Sequence, residues 1–431
     1  MGLLLALLPA VLAVAQLGRL HPDEVYQALE PAWFRAHGYG VLAWEWRVGL
    51  RNWALPLVLS GLLRLCSALG LTHPVAYRAV LALPQVALQA WMLWAVFRFS
   101  ARRVGPRSAW LATLAVGLYG PVLVFAGRTL GESLSAAFLV VAVEALDRQE
   151  RPLRAGLLAG STLGLAVVVR YGSAVMVLLA LAWLVGARRW KLLAWTCLAG
   201  LAVAGALGGL DLATWGKPFH SFFAYVDYNV LSGKAARQFG AAPPSFYGAP
   251  WLRGLPLWVW LVIPLAWMSW RARRSLSLPA LCAGGYVLAL LATAHKEERF
   301  LYPGLVLLVV AAAPLAAGFV SSLSSGPWRT GAGVLLLGLS GVPGFFFLSE
   351  DTKGDQLRAI VSVTRSEGTR GLLIVNEGLW GAGGYFYIGK NIPWATCDWP
   401  RDASFQRAMR EPAFNRAVTF EGRALAELQA A

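Results

Sequence analysis

Long apolar runs dominate this chain and decide what it can fold into. Leu3–Leu17, Ser108–Ala126 and Leu276–Ala294 each approach the roughly 20 apolar residues that a helix needs to cross a bilayer core about 30 Å thick. Lipid offers no partner to an open backbone group, so such runs fold as helices. Hydrophobic residues make up 58% of the 431 positions and charged residues 14%, against roughly 25% charged in soluble domains. The runs therefore predict one all-α membrane bundle instead of several soluble domains. Residues 1–18 have no basic stretch ahead of their apolar run and read as an uncleaved first span.

The net charge of +16 is not a nucleic-acid footprint, because many of the basic residues sit in short clusters between apolar runs. These are Arg102-Arg103 with Arg107; Arg148, Arg151 and Arg154; Arg188-Arg189 with Lys191; and Arg271 with Arg273-Arg274. The positive-inside rule assigns all four to the cytoplasm, so the chain crosses an even number of times between successive clusters. Parity places span breaks at Gly127–Gly131 and Arg170–Gly172. It leaves room for only one span between the first helix and Arg102. Ala76–Phe97 takes that place, and Trp53–Leu69, which carries Arg64, becomes an amphipathic helix on the membrane surface. The result is about eleven spans within residues 1–349, outer loops at 19–75 and 211–251, and an extracytoplasmic tail or small mixed α/β domain at 350–431. The four cysteines are scattered and suggest neither a zinc site nor a disulfide framework.

Every unusual polar segment then falls on the outer side: HPDE at 21–24, WEWR at 44–47, GRTLGES at 127–133, residues 211–251, and HKEER at 295–299. Polar groups at membrane depth are costly and mark function. Transfer of a sugar from a lipid phosphate needs few parts. A carboxylate takes the proton of the acceptor hydroxyl, and cations stabilise the phosphate as it leaves. Asp23 is the candidate base, with Glu24 as its alternate or a sugar-binding partner. Arg128, His295, Lys296 and Arg299 are candidates for holding the donor phosphate. Trp44 and Glu45 are candidates for contacting sugar, and Tyr228, Asn229 and Tyr247 for lining the acceptor groove. Glu132 is a second acid or a hydroxyl ligand. No cluster has metal-ligand spacing, so neither a metal nor a cofactor is expected.

The segment from His21 to Pro56 resembles the first luminal loop of glycosyltransferase family 22, the dolichyl-phosphate-mannose-dependent mannosyltransferases of GPI-anchor and N-glycan precursor assembly. The resemblance runs through His21, Pro22, Asp23, Glu24, Gln27, Glu30, Gly38, Gly40, Trp44, Glu45, Trp46, Arg51 and Pro56. GRTLGES is similar to that family's RTLSN turn, with Glu132 in place of Asn, and HKEERFLYP at 295–303 is similar to its HKEERFL motif. The resemblance covers residues 19–320. It implies a GT-C fold with a long first outer loop and an inverting transfer of mannose from a polyprenyl-phosphate-mannose donor to a glycan or glycolipid acceptor. With an Ala-, Leu-, Gly- and Arg-rich composition, it implies a bacterial member in the inner membrane, its site facing outward. A GT-C enzyme using another lipid-phosphate sugar is an open alternative. A polyprenol or glycolipid transporter is the alternative of another class, although the chain shows no internal repeat and its charges gather at one interface.

Overall fold

A computed structural model describes residues 2–18, 21–148, 150–267, 270–344, 353–400 and 403–430. Residues 345–352, where the expected spans meet the expected tail, and the side chains of Arg271, Arg273 and Arg274 lie outside the described residues. The chain forms two compact units.

The first unit comprises Met1–Leu12, Val48–Ala54 and Leu83–Ser349 and is helical. Its helices include Gly131–Asp147, Pro152–Val169, Ala174–Gly186, Trp190–Trp215, Leu257–Trp267, Tyr302–Ser322 and Pro327–Gly341. Helices interrupt at residues 126–130 and at 170, matching the two breaks that charge parity placed there. Pro74–Gly117 runs through a backbone kink at Gly105, whose φ of 76° suits glycine, and Pro106 follows. Among the described residues, four helices are long and apolar enough to cross a membrane: Pro74–Gly117, Pro152–Val169, Trp190–Trp215 and Glu298–Ser322.

Small residues let these helices approach. Gly156, Gly160 and Gly164 form a stripe at four-residue spacing along Pro152–Val169, facing Trp195, Thr196, Ala199 and Val203 of Trp190–Trp215. A side chain on Gly160 would collide with the Thr196 carbonyl. Without a hydrophobic driving force between helices in lipid, close packing of this kind carries association.

One end of the unit collects the basic clusters. Arg102 and Arg103 pair with Asp147 at 2.9 and 2.6 Å, and Arg102 and Arg148 pair with Glu144 at 2.8 and 2.5 Å. Arg189 donates to the carbonyls of Leu146 and Arg148. Three of the four clusters therefore share one end of the bundle, as an even number of crossings between them requires.

The second unit comprises Ala13–Arg47, Leu55–Ala82 and Glu350–Ala431. The helix Ala54–Ala68 spans about 22 Å at 1.5 Å per residue, short of a bilayer core. It buries Pro56, Leu59, Ser60, Leu63 and Cys66, one stripe at helical spacing. That stripe meets Val25, Leu29, Trp33, Tyr77, Leu357, Val361 and Phe386 in a single core. The first loop and the tail thus share one hydrophobic interior.

Glu30 reinforces it. Its buried carboxylate accepts the backbone N–H groups of Val41, Tyr385 and Phe386, each at 2.9 Å. Burial pushes its pKa up to about 7 against the downward pull of those bonds. Gly384 has φ of 69°, and a Cβ there would lie 2.5 Å from the Glu30 carboxylate, so the close approach needs glycine twice over. The tail also carries a parallel three-stranded sheet of β1 (Leu372–Val375), β2 (Trp394–Cys397) and β3 (Arg416–Val418), ordered β2-β1-β3. The all-α description therefore holds for the first unit, and the tail adds a small α/β layer.

Candidate active site

The candidate residues divide between the two units. Asp23, Glu24, Trp44 and Glu45 belong to the second; Arg128, Glu132, Tyr228, Asn229, Tyr247, His295, Lys296 and Arg299 belong to the first.

In the second unit, HPDE opens a π-helical segment at Glu24–Leu29, a wide turn of a kind frequent at functional sites. The turn separates the two adjacent acids. Glu24 points inward, 1% exposed, and pairs with the equally buried Arg78 at 2.8 Å. Asp23 stays accessible at 22%, with His21 Nδ1 3.3 Å from its carboxylate. The wide turn also turns the Tyr26 carbonyl toward the WEWR segment, where it accepts from the buried Trp46 indole at 2.9 Å. Gln27 donates to Glu45 at 2.9 Å. Trp44 is half-buried beside them. WEWR is therefore braced against the helix that presents Asp23, through Trp46 and Glu45.

In the first unit, three breaks between helices bring charges together. Glu132 opens the helix Gly131–Asp147 and is 2% exposed. Both Arg170 and Arg299 reach one of its oxygens, Oε1, Arg299 at 3.1 Å. Arg299 also donates from Nε to Glu297 at 2.6 Å, and the other Glu297 oxygen lies 3.0 Å from His295 Nε2. That bond raises the His295 pKa, only partly offset by burial and by Arg299. Lys296 is 7% exposed and donates to the Thr293 carbonyl. Arg128 is buried at 2% in the turn before Gly131–Asp147. That turn is tight: a side chain on Gly127 would strike the Pro9 carbonyl, and one on Gly131 would sit 2.6 Å from the Val169 carbonyl.

The segment 211–251 is anchored by Asp211, fully buried, which accepts the Ser221 N–H at 2.9 Å and its hydroxyl at 2.6 Å. A second π-helical turn, Asp227–Leu231, carries Tyr228 and Asn229. Both make local bonds, Tyr228 to Gln238 and Asn229 to the Tyr225 carbonyl at 3.0 Å. Tyr247 is buried at 2%, and burial pushes its phenol well above the usual range.

Sequence reasoning missed two residues here. The sequence marks Arg170 only as a break between spans, although an arginine at an outer break between two apolar runs is itself a signal. Glu297, inside the HKEER motif, holds His295 and Arg299. Among the described residues, no three His, Cys, Asp or Glu side chains gather into a metal-holding group.

The solved structures that this helical chain resembles have the GT-C fold. The crystal structure of ArnT from Cupriavidus metallidurans bound to undecaprenyl phosphate matches 96% of this chain and 89% of that one, at 15% identity and a TM-score of 0.64. Its apo form matches with a TM-score of 0.54, at 14% identity over 91% of this chain and 84% of that one. At such identities the likeness shows the fold.

The family follows from sequence: the chain belongs to the Alg9-like mannosyltransferase family, whose model matches residues 3–349. Its relatives include GPI mannosyltransferase 3 of Yarrowia lipolytica, 30% identical over 305 residues, covering 68% of this chain and 57% of that protein. Alpha-1,2-mannosyltransferase Alg9 of Drosophila melanogaster is 25% identical over 301 residues, covering 65% and 47%. The chain thus spans about half to three-fifths of the length of these relatives.

Proposed function

We propose that this protein is an inverting mannosyltransferase, moving mannose from a polyprenyl-phosphate-mannose donor to a hydroxyl of a glycan or glycolipid. The reading also takes the chain to cross a bacterial inner membrane about eleven times, its site facing outward, and to need no metal. Family membership supports the reaction, and one observation of the site carries the mechanism. Of the two adjacent acids in HPDE, burial and Arg78 occupy Glu24, while Asp23 remains accessible.

Asp23 accepts the proton of the acceptor hydroxyl as its oxygen bonds to the anomeric carbon. The bond from that carbon to the phosphate oxygen breaks, and the electron pair leaves with the phosphate. Phosphate is already a good leaving group and needs charge stabilisation more than a general acid. Arg299, Lys296, Arg128 and His295 supply the cations, with Glu297 orienting Arg299 and His295. Trp44 and Glu45 contact sugar, and Tyr228, Asn229 and Tyr247 lie along the acceptor segment.

Purified protein given polyprenyl-phosphate-mannose and an acceptor should release polyprenyl phosphate. Asp23→Asn should lower that rate by about 100-fold or more with folding unchanged. Full activity in a folded Asp23→Asn variant removes Asp23 as the base. A panel of lipid-phosphate sugars separates mannose from the other hexoses and pentoses.

A further inference from the structure

The ion pairs around Glu132 carry a role for two residues that the sequence left unassigned or open. Arg170 leaves the helix Pro152–Val169 in an extended conformation, φ −153° and ψ 101°. Its guanidinium is thereby swung onto Glu132. Two further contacts fix it: the Tyr286 hydroxyl lies 3.3 to 3.4 Å from Nη2 and Nε, and the Phe300 ring lies 4.8 Å from Cζ. Arg299 has its Cζ 5.2 Å from the same Phe300 ring and reaches the same Glu132 oxygen. Two guanidinium groups from distant segments thus share one carboxylate oxygen and one aromatic ring.

Both cations bond the same Glu132 oxygen. Arg170 has five N–H donors, and two of them share a single phenol oxygen at long distance. A tetrahedral phosphate offers several acceptor oxygens and suits paired guanidinium forks. Lys296 and His295 flank Arg299 on the same motif.

We infer that Arg170 binds the donor phosphate together with Arg299, and that Glu132 is their counter-ion and competes with the phosphate for them. The inference rests on the proposed lipid-phosphate donor. Glu132 is then neither a second acid nor a sugar ligand but an anion that competes with the phosphate. Its charge offsets the repulsion between the two adjacent cations. The same charge weakens the hold on the departing lipid phosphate, which favours product release.

A structural seal between helices and a phosphate clamp with a competing anion make opposite forecasts. The probes are farnesyl phosphate and farnesol, titrated into full-length protein in detergent and followed by tryptophan fluorescence. Wild type should bind the phosphate more tightly than the alcohol. Arg170→Gln should weaken phosphate binding by about tenfold or more, as loss of a charge-assisted bond predicts, and leave farnesol binding unchanged. Arg170→Lys should recover part of the loss. Glu132→Gln should tighten phosphate binding severalfold, and a seal has no reason to produce that sign.

Weaker phosphate binding in Glu132→Gln, or undiminished preference for the phosphate in Arg170→Gln, overturns the assignment and leaves the lipid-phosphate reading standing. Should wild type bind farnesyl phosphate no better than farnesol, the lipid-phosphate reading and the inference fall together. If Arg170→Gln fails to fold, Arg170→Lys and Glu132→Gln decide the matter.

Discussion

Breaking the Glu24–Arg78 pair should unfold the unit that presents Asp23, and removing both charges together should not. The two side chains are each 1% exposed and 2.8 Å apart. Breaking a buried pair by removing one partner costs about 3–5 kcal/mol. Replacing both with apolar groups of similar volume is neutral or stabilising by roughly 1–4 kcal/mol. For a body of this size each kcal/mol moves the melting midpoint by roughly 2–4 °C. Glu24→Ala should therefore melt about 6–20 °C early, and Glu24→Leu with Arg78→Met should return to the wild-type midpoint or above.

Thiol labelling on heating reads this directly. Cys66 and Cys397 are buried in the same unit, and Cys197→Ser with Cys282→Ser silences the other two thiols. If Glu24→Ala exposes Cys66 no earlier than wild type, or the double variant melts with the single ones, the reasoning fails. Activity of the folded double variant then separates the two roles open for Glu24. With proton acceptance assigned to Asp23, transfer should persist at a reduced rate, and a folded but inactive double variant returns the base to Glu24.

Two other forecasts concern the scaffold. The folded-state pKa of Glu30 lies above its ordinary value of 4.5, at about 7. The native unit thus holds this proton more tightly than the unfolded chain. The linked stability is fully present below 4.5, falls by roughly 3 kcal/mol as pH rises to about 7, and is level above that. The Cys397 labelling midpoint should drop across that window, and Glu30→Gln should flatten the slope; a flat wild-type profile contradicts the assignment. In the helical unit, Gly160→Leu should cost several kcal/mol and lower the monodisperse yield on gel filtration, because its Cβ meets the Thr196 carbonyl. Gly205→Leu, with open space around its Cβ, should leave the yield near wild type.

Local information was enough for much of this molecule. Apolar runs of helical length, clusters of arginine between them, and glycines at 127, 131 and 172 determined the helical bundle and its breaks, because helix formation in lipid is decided within each segment. The motifs at 21–24 and 295–299 determined the family and most of the candidate cations.

Tertiary structure decided partnership. Whether Asp23 or Glu24 stays accessible depends on Arg78, 54 residues away. Whether Glu132 acts as an acid or a counter-ion depends on Arg170 and Arg299, brought to it from other helix breaks. That the tail shares a core with the first loop depends on Leu357, Val361 and Phe386 meeting Leu59 and Leu63. Each of these is set by a carboxylate or an apolar face finding its partner across the fold, and no periodicity along the chain encodes which distant residue that partner will be.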